Sequence, residues 1–361
     1  MQNLNEMEPT VAITPEILDR LDGEFLQYSF LQIHDIAYSD GKIVITPENS
    51  TARREYQMEP DAVEYLAKFV GLPLTYVADV GDPAAVTMLW NDHIRKRGQD
   101  IDVLKAVVRG EHISGFTVRS FHPLRPSAVV NACREAIAEC EFERQPCVHG
   151  KSIEFALTGP DLREDFVNTT LGTTDIHRFS VGVEFNYVGQ ASPTIGAYGH
   201  RHTCGNFMYS PYGVGGKPFQ IFTSEPGQVL ARFTECTRQG VEFIQGTMIP
   251  KIRATMEAHI PDVAMEIAGI AKKYGLPESV ETLVSEAYRT ENLGDTVYHM
   301  ANAFSRAANN DRCPPQAVRK LQRAAGEITV RYEALETGTE VGFEEAELFF
   351  DETADDDVKH S

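Results

Sequence analysis

Within residues 197–209, AYGHRHTCGNFMY, the side chains of His200, His202 and Cys204 recur at every second position. Strand side chains alternate between faces, so an extended segment turns all three the same way, and imidazole and thiolate are common zinc ligands. A second C-x-H, Cys147 and His149, offers two more ligands on what reads as a neighbouring strand. The spacing argues against a shared ion. Residues i and i+4 of a strand stand roughly 13 Å apart, whereas zinc needs three or four ligands at about 2.0–2.3 Å. No metal or cofactor is expected, and these five residues remain as the candidate ligands. The same geometry counts against a Cys204 nucleophile with His202 as its base, because neighbours on one strand face lie about 6–7 Å apart.

Other chemical signatures are incomplete. HGKS at 149–152 resembles the end of a P-loop, but Gln145 stands where the first glycine of that loop belongs. The glycines of PYGVGGKPF, 211–219, are too irregular for a dinucleotide fingerprint. There is no G-x-S-x-G and no H-E-x-x-H, and Asp161, Glu164 and Asp165 read as acids at a helix start. No catalytic residue is assigned, and nothing in the chain demands an enzyme.

Cations interleaved with aromatics offer a different chemistry. Lys105, Arg109, Arg119, Arg125, Arg178, Arg201 and Lys217 fall on or beside predicted strands, with Tyr198 and Tyr209 among them. If they converge, the cations grip phosphates and the tyrosines stack on bases, the requirements of a single-strand groove. Otherwise they are ordinary surface cations of a sheet.

Period and punctuation place the elements that carry these residues. Thr14-Pro15 opens a capped helix, and Val63, Leu66, Ala67 and Val70 repeat at helical spacing before Gly71. DVLKAVVRG and GFTVRSF flank EHIS as a hairpin, and PSAVVNACREAIAEC reads as a helix burying Cys133 and Cys140. CVHGKSIEFALTG turns at Gly150-Lys151, and RFSVGVEFNYV pairs with AYGHRHTCGNFMY. After the glycine-rich loop, helices are predicted near 225–258, 261–274, 277–290, 294–309 and 314–335, separated by prolines and glycine. The expected class is α+β: an antiparallel sheet with helices on one face, followed by an α-helical C-terminal half. The divisions are 1–98, an N-terminal α/β and helical subdomain; 99–222, the antiparallel core; 223–335, a helical region; and 336–361, an acidic disordered tail.

The net charge of −20 is unevenly spread, for Glu333–Ser361 hold 11 acidic residues and one lysine, leaving a net −10 on the rest. An anionic ligand must therefore meet a local group of cations rather than a basic surface. The tail carries Phe343, Leu348, Phe349 and Phe350 among its acids, a composition that suits docking to a replication or recombination protein. Six cysteines without a C-x-x-C pair, no apolar run of membrane length and no basic leader lead to the expectation of a cytoplasmic protein with reduced thiols and no membrane contact.

Several segments resemble the phage/plasmid-like family of proteins of unknown function, over about residues 55–335. They are AVEYLAKFVGLPLTYV, ISGFTVRSFHPL, RHTCGNFM, and DTVYHMANAFSRAANN followed by LQRAAGEI. The chain departs from the family at Phe207, where glycine is usual. The resemblance implies a phage or plasmid origin, location in the host cytoplasm, and a role in the element's replication, recombination or defence. It also implies that the strand end from Arg201 to Met208, with Cys204 and Asn206 shaping the turn, matters to the fold or site.

Two function classes follow, with a third beside them. The leading expectation is a single-stranded DNA binding or annealing protein, oligomeric, by fold-level analogy to annealing proteins of recombination. The alternative is a metal-dependent or small-molecule enzyme built on the His/Cys strand. The third is an acidic inhibitor of a host protein. On the first, Arg201→Ala abolishes binding or stability whereas His200→Ala is nearly silent.

Overall fold

The computed structural model of the chain describes residues 10–23, 25–30, 36–46, 53–97, 104–118, 123–149, 151–168, 173–188, 193–201, 206–210, 226–291 and 294–336. Along the chain run β1 (Val11–Ala12), α1 (Pro15–Asp22), β2 (Phe25–Phe30), β3 (Ile36–Ser39), β4 (Lys42–Ile45), β5 (Arg54–Met58), α2 (Pro60–Val70), α3 (Leu74–Val80) and α4 (Pro83–Arg97). Then come β6 (Leu104–Arg109), β7 (His112–Val118), α5 (Pro126–Arg134), β8 (Glu141–Phe142), β9 (Cys147–His149), β10 (Ser152–Thr158), β11 (Arg163–Asn168), β12 (Thr173–Asn186), β13 (Thr194–Arg201) and β14 (Asn206–Ser210). The helical half comprises α6 (Pro226–Phe243), a π turn (Ile244–Met248), α7 (Ile249–Glu257), α8 (Val263–Lys273), α9 (Glu278–Glu291), α10 (Val297–Ala308) and α11 (Pro315–Glu336).

The class is α+β, and the strands form two sheets. The main sheet has the order β1-β8-β10-β12-β13-β14, with β9 on β10 and β11 on β12. All its pairings are antiparallel. The smaller sheet has the order β2-β6-β7-β5-β4-β3. The predicted hairpin at 104–118 is present, but it joins β2 and β5 of the smaller sheet rather than the strands that follow α5. Its turn is Gly110-Glu111, tighter than EHIS, because Arg109 pairs directly with His112 and Gly110 supplies the positive φ of 60°.

Each sheet buries a face through its period of two. On β12, Phe179, Val181, Val183 and Phe185 point together into the main core. There Phe185 meets Phe233 of α6 edge-on at 5.7 Å, and Gly240 of α6 lets Val181 approach its backbone. The smaller sheet places Ala106, Val108 and Phe116 against α2 and α4, around Trp90. Val107, on the opposite face of β6, belongs to the main core, so the smaller sheet is covered on both sides at this point.

Local chemistry sets the helix ends. Thr14 Oγ1 accepts from Ile17 N, capping α1. Gly71, left-handed with φ 71°, ends α2 while Leu72 N donates to Ala67 O. Pro250 lacks an N–H and crowds the preceding turn, and the helix accommodates it with the π turn at 244–248. Two helical expectations fail. α5 stops at Arg134 rather than reaching Cys140, because residues 137–138 press against Gly159, where a Cβ would lie 2.6 Å from Ala138 O. Glu164 and Asp165 are strand residues of β11, since the chain leaves a single 3-10 turn, Pro160–Leu162, already paired to β12.

Among the described residues, no helix is long and apolar enough to cross a membrane. The acidic segment beyond 336 lies outside the described residues.

Candidate nucleic-acid interface

The face of the main sheet opposite the helices is polar. Arg178 pairs with His200, Ser180 with Tyr198, and Gly182 with Gly196 along β12 and β13, and β13 in turn sets Tyr198 opposite Tyr209 of β14. Two glycines facing each other leave a shallow floor, and Tyr198 lies across it: a Cβ on Gly182 would fall 1.9 Å from Tyr198 Cε2. Only glycine at 182 permits this ring position.

Three glutamates share the face, each matched by a partner. Arg144 Nη2 donates to Glu154 at 2.8 Å, and Arg319 Nη2 to Glu184 at 3.3 Å. Glu143, only 5% exposed, accepts from Ser180 Oγ at 2.9 Å on one oxygen. Its other oxygen stands 3.4 Å from His200 Nδ1. Pairing of the acids reduces the repulsion an incoming anion would meet.

The candidate residues divide into two groups. Arg178, Tyr198 and, by register, Tyr209 share the polar face of β12–β14, whereas Arg201, paired with buried His177, takes the opposite, core-side register. Lys105, Arg109 and Arg125 do not join them. Lys105 is buried in β6, where desolvation pushes its ammonium below the usual lysine range. Arg109 Nη2 donates to Leu21 O at 2.9 Å, and its guanidinium lies 5.9 Å from the Tyr187 ring centre. Arg125 stands 3.6 Å from Asp22, whose carboxylate also accepts from Ser127 N and Oγ, joining α1 to α5. Arg119 and Lys217 lie outside the described residues.

The ligand comb does not form on one strand. β13 ends at Arg201 and β14 begins at Asn206, and these two residues pair, so 197–209 is a hairpin. His202 and Cys204 fall in its connection, outside the described residues. Cys147 and His149 are remote from His200: β10 and β12 intervene, which is roughly 14 Å across the sheet. Glu154, the partner of Cys147, pairs with Glu184 and thence Thr194, six residues from His200 along β13, or roughly 20 Å. Among the described residues, no group of three or more His, Cys, Asp or Glu could hold a metal ion.

Beneath the same strands lies a polar cluster that the pattern did not reveal. Tyr298 of α10 donates to Asp175 Oδ2 at 2.5 Å, and His177 Nε2 lies 2.8 Å from the same hydroxyl. A carboxylate only accepts, so the tyrosine proton goes to Asp175 and the phenolic oxygen receives the Nε2–H of His177. All three are buried, and Phe166 packs edge-on against the imidazole at 5.0 Å. The available signal was Asp175 and His177 occupying the same alternate positions as Phe179 and Val181. Arg201 pairs with His177 in the backbone register, which ties the proposed strand end to this cluster.

Comparison with protein-family models, with curated proteins and with solved structures finds no match for this chain.

Proposed function

We propose that the protein binds single-stranded nucleic acid on the polar face of β12–β14. The carrying observation is Tyr198 held across Gly182, two residues along β13 from the Arg178–His200 register pair. An aromatic ring laid on a sheet beside cations supplies a stacking surface and a phosphate grip, which together suit any base sequence. The paired glutamates explain how a chain of net charge −20 would present such a face.

On this reading the protein acts as a homo-oligomer in annealing during recombination or replication of a phage or plasmid, in the host cytoplasm. The acidic segment 336–361 engages a replication or recombination protein. The test is fluorescence anisotropy with a short single-stranded DNA at rising salt. Expected is saturable binding whose logarithm falls linearly with log salt, the slope shrinking by about 1 in Arg178→Ala. Absence of binding at low salt overturns the proposal.

A further inference from the structure

We propose that Arg178 and His200 form one phosphate-binding pair, that Glu143 is the positioning residue holding the imidazole, and that binding tightens as His200 takes up a proton. This rests on the nucleic-acid reading and identifies the part of the face that meets the backbone of the ligand.

The argument begins with register. Arg178 and His200 are directly opposed on antiparallel strands, where Cβ atoms lie about 4.5–5.5 Å apart and like charges repel. A neutral imidazole removes that conflict, whereas a phosphate oxygen between the two side chains turns it into a double contact. A bound phosphate therefore offers the protonated ring a contact that offsets the opposing Arg178 charge.

Glu143 explains the orientation. Its carboxylate is buried, one oxygen accepts from Ser180 Oγ, and the other faces His200 Nδ1 at 3.4 Å. With Nδ1 turned toward the protein, Nε2 occupies the opposite edge of the ring. The side chain of His200 is 19% exposed, which keeps it within reach of solvent. Among the described residues, the charged groups facing it include Glu143, from the segment after β8, and Arg178, from β12; Ser180 adds a hydroxyl, and the register position on β14 is Phe207.

The test measures affinity for a fluorescent oligothymidylate with the full-length protein at about pH 5.5 and about pH 8, the range in which imidazole ordinarily changes charge. Wild type should bind roughly threefold to tenfold more tightly at the lower pH. His200→Gln should still bind, with that ratio near one, whereas Arg178→Gln should weaken binding at both values. Glu143→Gln should reduce the ratio while circular dichroism stays unchanged; if this buried substitution prevents folding, the less buried His200→Gln decides. A full pH ratio in His200→Gln overturns the inference and leaves the nucleic-acid reading standing. If wild type binds no oligonucleotide at either pH, that reading falls, and pyrophosphate titration followed by the His200 imidazole NMR signal decides the inference. A signal that moves, with a pH-dependent midpoint, supports a phosphate site for another ligand; a static one overturns it.

Discussion

Val188, two residues beyond β12, packs against the backbone of β7 at Gly115, where an added Cβ would lie 2.4 Å from Val188 Cγ1. Next to it, Tyr187 donates to Ser114 Oγ at 3.1 Å. The two sheets are joined here by one apolar and one polar contact. Gly115→Ala should destabilise the protein by about 1–3 kcal/mol through overpacking. Val188→Ala in the same chain should restore part of the loss, so urea melts of the four variants would show coupling of at least about 0.5 kcal/mol.

The Asp175–Tyr298–His177 chain depends on its central hydroxyl. Tyr298→Phe keeps the ring but withdraws a donor from Asp175 and an acceptor from His177, both buried. A loss of about 1–3 kcal/mol is expected in urea denaturation.

Gly182→Ala tests the stacking surface without removing an aromatic or a charge. The new Cβ must displace the Tyr198 ring. Affinity for single-stranded DNA should fall to the level of Tyr198→Ala, a loss of about 1–3 kcal/mol for one stacked base. Unchanged affinity in both variants would remove Tyr198 from the interface.

Thiol reactivity should separate the described cysteines. Burial pushes Cys133 and Cys140 up to about 12, so almost no thiolate forms near neutral pH. Cys147 is exposed on the short edge strand β9. Mass spectrometry after brief iodoacetamide treatment should find Cys147 alkylated well before Cys133 or Cys140.

Glu327 joins α11 to α8. Burial alone would raise its pKa, but the hydrogen bond from Tyr274 and the nearby Arg323 and Lys273 outweigh that and hold it below 4.5. A depressed carboxyl pKa adds stability above the unfolded value, and that contribution is lost as pH falls through the folded one. Glu327→Gln should therefore be less stable than wild type near neutrality, with the gap in thermal midpoint closing as pH drops below about 4.5.

Much of the helical half was legible because proline and glycine punctuate it: Pro261, Gly275-Leu276-Pro277 and Cys313-Pro314 fall between the observed helices, and Pro315 opens α11. The β9–β10 hairpin was legible for a similar reason, as His149 pairs with Ser152 around Gly150-Lys151. The second sheet was not. It depends on a parallel pairing of only Gln57 with His112 and Met58 with Ile113, which leaves no local signature. The reversal between Arg201 and Asn206 was not legible, because the alternating residue pattern of the sequence runs through it without a break. The approach of His200 to Glu143 was not legible, since the two lie 57 positions apart in sequence.

The π turn at 244–248 inserts one residue into an otherwise continuous helical rod, and one residue is about 100° of rotation. Before it, α6 packs on β12 and β13; after it, α7 packs on α10 and α11. The apolar stripe of the rod therefore changes phase midway, which lets Phe233 serve the sheet while α7 serves the helical layer. A single-residue deletion there would keep every other side chain in the rod yet aim half of them at the wrong layer.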